Sequence, residues 1–512
     1  MRNLLLILSV FLFFSVNSSF AWTNDARTLF NDGKANIMVV NIRTFSAQDT
    51  NKNEIVEIEK GEKPGTFTGA IKRLDNLVGH GINTIHLLPI TPVGKLKALG
   101  TAGSLYAMDD FASINPQFDD VDNPMTVYEE AKLFISEAHK RGIRVIIDLP
   151  SCGSYDMFLR KPELFAVNSE GKSITPADWT DVRLFKTQEK DGSLNTELFE
   201  LHKSFVDMVK DLGADGIRAD VATIKPYEFW QMLISYARRN DSEFLFIAEA
   251  SPAWTEAVTQ EAVFTPYDKL VSAGFDGYLG NFMNYQKFSS AADLFKAYDE
   301  AQSLANRYDA KKSIILNFAT HDDLSPVLVN SNYPSQLLWL AATLPGNMYF
   351  VNGFLTGDFY IYSYANKSAE KTYTDDDSYY VHKGKFDIFN YSRRPGGNNN
   401  ALAMEYVNAV RLKSMFAELL KTKPNFLKST DKNIFAYEYS KDNVKMVVIL
   451  NHNPEVEVSG TVNYRGVDNF EQLIPIAYSN GLITFEKGKF YVRLAPSGIA
   501  VFISNNQYSQ KK

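Results

Sequence analysis

The chain has 512 residues, 45% of them hydrophobic, a formal net charge of -7 and one cysteine. That length supports a large core plus a second, smaller domain, while the mildly acidic balance excludes the basic patch that nucleic acid or an anionic membrane requires. A lone Cys152 excludes an internal disulfide framework and a cysteine-based zinc cage.

In chain order, the first element is a leader. Arg2 supplies a positive charge, Leu4 to Val16 is almost wholly apolar, and Ser19-Phe20-Ala21 places small residues where a signal protease cuts. The apolar run is shorter than the roughly 20 residues needed to span a bilayer. The expectation is a signal peptide over 1–21, with the mature protein secreted or periplasmic and no membrane partner after cleavage.

From about Asn36 to Gly353 short β-rich runs alternate with longer amphipathic ones. The runs begin at Ile37, Thr84, Val145, Gly216, Phe244, Gly274, Ser313 and Asn347. Between them lie helical patterns such as Asn195–Gly213, with Leu198, Leu201, Phe205 and Met208 at 3.6-type spacing. Continuous apolar strands alternating with helices predict a parallel sheet buried on both faces. Eight such units predict an α/β fold of the (β/α)8 TIM-barrel class, with a doubly wound open sheet as the alternative. A short excursion after strand 3, about 151–193, and a loop of about 354–400 rich in Tyr, Asp, Gly and Asn interrupt the alternation. In a barrel both emerge at the C-terminal face, where active sites sit. Tyr360, Tyr362, Tyr364, Tyr379 and Tyr380 make the second a candidate cleft wall, against a loop folded on itself. Beyond about residue 420 the pattern turns to strands and turns. The reading is a barrel over 22–420 and a C-terminal antiparallel β-sandwich domain over 421–512.

Four predicted strands end in carboxylates: Asp148, Asp220, Glu249 and Asp322. Taken singly, each is a cap or a surface ion pair. On separate strands of one barrel they converge on one mouth. Arg218 and Asp220 share a strand face, and the guanidinium is expected to lower the Asp220 pKa, which suits a nucleophile. Glu249 follows the apolar run FLFIA, and a partly dry setting keeps a carboxyl protonated, which suits a general acid. This pairing is what glycosidic cleavage needs. Asp322 adds negative charge beside an oxocarbenium-like transition state, and His321 next to it offers hydrogen bonds to sugar hydroxyls.

These motifs resemble the alpha-amylase family of retaining glycoside hydrolases. GIRADVATIKPYEFW is similar to the family's nucleophile strand, IAEA to its acid/base strand, and NFATHDD to the strand bearing its histidine and third carboxylate. The resemblance implies catalytic roles for Asp220, Glu249 and Asp322, and substrate contacts from Arg218, His321, Tyr106 and Asp148. It also implies a structural role for Asp110 and relates ADWTDVRL, around Trp179 and Asp181, to the family's small second domain. The implied activity is hydrolysis of α-glucosidic bonds in starch-like polymers or maltooligosaccharides. The alternatives are glucosyl or maltosyl transfer at the same site, or a non-catalytic carbohydrate-binding relative. One departure stands out. The family's third-strand motif, begun here by Asp148, carries Asn and His where this chain has Cys152 and Gly153. The Asn helps hold a structural calcium, so the expectation is no metal and no cofactor. Cys152 reads as a small buried filler, and Asp156 as the nearest replacement carboxylate.

Overall fold

The computed structural model describes residues 22–504 except 52, 54–55, 177–179, 251–264, 281, 308–311, 361–366, 369–370 and 373–387. The expected leader, Trp179, and Tyr362, Tyr364, Tyr379 and Tyr380 lie outside the described residues.

Eight parallel strands close into a barrel: β1 (Asn36–Val40), β2 (Thr84–Leu87), β3 (Arg144–Leu149), β4 (Gly216–Ala219), β5 (Leu245–Ala248), β6 (Gly277–Leu279), β7 (Ser313–Leu316) and β8 (Asn347–Val351). β1 pairs with both β2 and β8, and this closure excludes the open doubly wound sheet. Apart from Arg144, every strand residue is buried. Side chains on one face fill the barrel and those on the other pack under helices, so the strands read as unbroken apolar runs.

The helices start where the sequence provides caps. Val127–Lys140 opens with a Thr126–Glu129 capping box, which satisfies two backbone donors left over by the first turn. Thr196–Asp211 is capped by the Asn195 side chain, and Gly213 at φ 88° ends it. Among the described residues no helix is long and apolar enough to cross a membrane.

The excursion after β3 is a two-stranded ribbon, Cys152–Ser154 against Val182–Leu184, with a short helix Tyr155–Arg160 between them. Beyond the barrel, helix Asn400–Met415 leads to two antiparallel sheets. One orders strands Asn425–Phe426, Ile434–Lys441, Val444–Asn451, Ile499–Ser504 and Leu473–Tyr478. The other orders Val458–Asn463, Lys489–Leu494 and Gly481–Glu486. Strand Ile434–Lys441 shows how they pack. Ile434 and Ala436 join the core between the two sheets, while Phe435, Tyr437 and Tyr439 join the barrel's own core, as the period-2 alternation of a strand requires. Helix Tyr333–Thr343 is buried at every position, because the barrel lies on one side and this sheet on the other. Gln336 Nε2 donates to the Asn451 carbonyl at 2.7 Å, and the Thr343 and Tyr437 hydroxyls lie 2.9 Å apart.

Candidate active site

The C-terminal ends of β3, β4 and β5 and the turn after β7 deliver the charged groups to one place. Parallel pairing sets Asp148 beside Arg218. One guanidinium nitrogen of Arg218, Nη1, donates to both carboxylate oxygens of Asp148, each at 2.9 Å, and to Asp220 Oδ1 at 3.0 Å. The other, Nη2, reaches Glu249 Oε2 at 2.9 Å. One buried cation therefore serves three carboxyls. Ser151 grips Asp220 from the start of the excursion, its backbone N–H donating to Oδ2 at 3.1 Å and its hydroxyl to the Asp220 carbonyl. Val221 N–H donates to Glu249 Oε2 at 2.8 Å. To do so Val221 takes φ 32°, ψ 56°, a left-handed conformation that a β-branched residue adopts only under constraint.

These contacts set the proton positions. Burial would raise the Asp148 carboxyl, but Arg218 and His86 outweigh it and hold it below its usual range. Burial pushes Glu249 well above the ordinary glutamate value, and Arg218 only partly opposes this. Asp220 departs from the sequence expectation. Its carboxyl is raised, because burial and the neighbouring Asp148 outweigh Arg218. The guanidinium is shared rather than dedicated, and this changes the sign. Glu249 partly offsets the rise at Asp220, while Asp220 adds to the rise at Glu249, so the pair favours a proton on Glu249 and an ionised Asp220.

Tyr106 and His321 complete the wall. Tyr106 Oη donates to Asp148 Oδ2 at 2.9 Å. That uses its one hydrogen, so His321 Nε2, 3.0 Å away, is the donor to Tyr106. The two rings stack at 6.3 Å with an interplanar angle of 6°. Burial pushes His321 down to about 4, so the imidazole is neutral at pH 7. Asp323 anchors the turn by accepting from Thr320 N and Oγ1 at 2.7 and 2.8 Å, which presents Asp322. Asp322 is the most open of the acids, its side chain 34% exposed against 12% for Asp220 and Glu249. A cavity of about 130 Å³ is lined by Arg218, Glu249, Thr320, His321, Asp322 and Tyr349, among others.

All seven residues singled out from the sequence thus meet at one mouth. Two partners escaped notice. His86 on β2 sits 3.3 Å from Asp148 Oδ2 through Nε2 and 3.0 Å from the Tyr349 hydroxyl through Nδ1. Polar residues inside apolar strand runs were the available signal. Asp110 is exposed and accepts from Ala112 N at 2.7 Å, holding its own turn. Asp156 holds a neighbouring loop, its Oδ2 accepting the backbone N–H groups of Lys95 and Leu96 at 2.8 Å. Of the five tyrosines named as a candidate cleft wall, Tyr360 is the one described, and it packs under the Arg393 guanidinium at 4.6 Å.

The third-strand departure has a physical basis. Cys152 packs with Ala107, Val182, Leu184 and Ile224, and burial pushes its thiol up to about 12. A Cβ on Gly153 would meet Phe165 ring carbons at 2.8 Å and Phe185 at 2.9 Å, far inside van der Waals contact. The position that resembles the family histidine has no room for a side chain, and the neighbouring one offers sulfur in an apolar cluster to an ion that takes oxygen ligands. These residues do not fit a calcium ion. Among the described residues no group of three or more His, Cys, Asp or Glu is arranged to hold a metal.

Residues 27–158 match the family described as alpha amylase, catalytic domain. That match spans β1 to β3, and the barrel as a whole has the alpha-amylase fold. The chain is 26% identical over 247 residues to a cyclomaltodextrinase from Bacillus sp, covering 44% of this chain and 41% of that protein. It is 24% identical over 309 residues to an alpha-1,4-glucan:maltose-1-phosphate maltosyltransferase from Cereibacter sphaeroides, covering 57% and 43%. The matches thus span less than half of these curated relatives. Among solved structures, an alpha-amylase from Lactobacillus plantarum superposes with a TM-score of 0.66 at 18% identity, covering 93% of this chain and 100% of that one. A maltogenic alpha-amylase from Thermotoga neapolitana gives 0.62 at 19% identity, covering 93% and 99%. At such identities the likeness speaks for the fold, the C-terminal sheets included.

Proposed function

We propose that this chain cleaves α-glucosidic bonds in starch-like polymers or maltooligosaccharides by double displacement. The observation that carries the reading is the Asp220–Glu249 pair at the ends of adjacent strands β4 and β5, bridged by one guanidinium whose two nitrogens lie 3.0 Å from Asp220 Oδ1 and 2.9 Å from Glu249 Oε2. Two carboxyls held by a single guanidinium are a close pair, and close carboxyls favour the retaining mechanism. Asp220 attacks the anomeric carbon while Glu249 gives its proton to the departing glycosidic oxygen. Glu249, now ionised, takes a proton from water, which attacks the same carbon and releases Asp220. Asp322 accepts hydroxyl hydrogen bonds from the distorted sugar, and neutral His321 contributes to the same wall.

Transfer to a second sugar is the competing reading. It is favoured by the maltosyltransferases among the relatives and differs only in which acceptor Glu249 activates. The leader at 1–21 supports export of the mature protein. Incubation with maltooligosaccharides separates the readings. Shorter reducing sugars alone support hydrolysis, longer products as well support transfer, and no change in either overturns both.

A further inference from the structure

We propose that Lys225 is a positioning residue for Asp220, acting through Ser151. Lys225 lies just past the single turn Ala222–Ile224 that follows the β4 strand end. It is 1% exposed. A buried ammonium costs several kcal/mol in lost hydration unless its surroundings compensate. Among the described residues its one hydrogen-bond acceptor is the Ser151 carbonyl, 3.3 Å from Nζ. Ser151 is the residue that holds Asp220 twice, by its N–H on the carboxylate and by its hydroxyl on the main-chain carbonyl. Lys225 therefore secures one side of Ser151 while Asp220 occupies the other.

The lysine is itself held in place. Its carbonyl accepts from Thr265 Oγ1 at 2.7 Å, and its ammonium lies 5.6 Å from the Trp230 ring, whose Nε1 donates to the Ala222 carbonyl at 2.8 Å. Its hydrogen bond runs to Ser151, and Ser151 runs to Asp220, so the expected effect falls on turnover and not on sugar binding. Three titratable groups lie in its field: Asp220, Cys152 and His202. Cys152 and His202 are neutral at pH 7, because burial raises the thiol and lowers the imidazole. Asp220 is then the one anion of the three. Burial pushes Lys225 down to about 8, so the charge is present at neutral pH. The Ser151 N–H lowers the Asp220 pKa. A loosened Ser151 and a missing cation both push it up.

This role rests on the glucan-cleaving reading, so wild-type activity on maltooligosaccharides, silenced by Asp220→Asn, is established first. In Lys225→Met we expect kcat to fall about tenfold or more with KM nearly unchanged. The acid limb of the kcat profile should move up by about one pH unit. Lys225→Gln keeps a donor for Ser151 without the charge, and should retain more of kcat while still moving the limb. A folded Lys225→Met with wild-type kcat and limb overturns the proposal. So does a lowered Tm with both unchanged, which is what a purely structural lysine predicts. If Lys225→Met does not fold, Lys225→Gln and Ser151→Ala are judged by the same limb and kcat criteria. An inactive wild type overturns the underlying reading and this role with it.

Discussion

Val221 donates its backbone N–H to Glu249 Oε2 at 2.8 Å, so the residue after the proposed nucleophile holds the proposed acid. Its left-handed backbone is the geometry that aims this N–H across from β4 to β5. Val221→Gly keeps the donor and removes the steric penalty of positive φ. We expect activity within about threefold of wild type and a stability change of no more than about 1 kcal/mol, relief of strain offsetting the greater freedom of the unfolded chain. A loss of activity beyond a hundredfold in a folded variant would show that the valine side chain, and not its N–H, is what the site requires.

Removing the proposed nucleophile is the most direct test. Asp220→Asn should leave the circular dichroism spectrum unchanged and lower turnover by about four orders of magnitude or more, since both displacement steps need the carboxylate. The sugar released early in a wild-type reaction, followed by NMR, should have the same anomeric configuration as the bond cleaved. Inverted product at the first time points would refute double displacement.

Glu249 gives a pH signature with a definite sign. Burial raises its carboxyl in the folded chain, so the native state binds this proton more tightly than the unfolded state does. Stability from this group is complete below the ordinary glutamate pKa and is lost as pH rises toward the folded value. Glu249→Gln has no such proton to lose. Its Tm should exceed that of the wild type by about 1–3 °C at pH 7, with the gap closing toward pH 4. Its activity should collapse. For the wild type, deprotonation of Glu249 should form the alkaline limb of kcat. A Tm gap that is independent of pH would contradict the assigned protonation.

Cys152 should be silent toward thiol reagents. In the native protein about zero thiols per chain should react with a disulfide reagent, and about one after denaturation, because a thiol raised to about 12 presents almost no thiolate at neutral pH. Gly153→Ala should cost about 1–3 kcal/mol through overpacking against Phe165 and Phe185. Rapid labelling of native protein, or an unchanged denaturation midpoint for the alanine variant, would overturn the respective claim.

The barrel was legible because its strands are buried on both faces and so appear as eight unbroken apolar runs. The C-terminal domain was less so. Leu473–Tyr478 and Gly481–Glu486 expose most of their side chains, so neither carries a continuous apolar signal. The carboxylates declared themselves by ending apolar runs. The direction of the Asp220 shift did not, since the sequence shows Arg218 two residues away but not the two other carboxyls that share it. His86 was hidden for a related reason. Its partner Tyr349 lies 263 residues away, and only closure of the barrel brings β2 and β8 onto either side of β1.

Residue 151 belongs to the site and residue 152 to the ribbon that opens the excursion. No spacer separates the group that grips Asp220 from the segment pinned by Phe165, Phe185 and the apolar cluster around Cys152. In evolutionary terms the excursion is not a detachable module. Importing a relative's version would exchange the residue beside Asp220 together with the loop. The segment is therefore expected to change in concert with the strand ends of β3 and β4, and a chimera that cuts between Leu149 and Cys152 inherits an Asp220 held by the wrong neighbour.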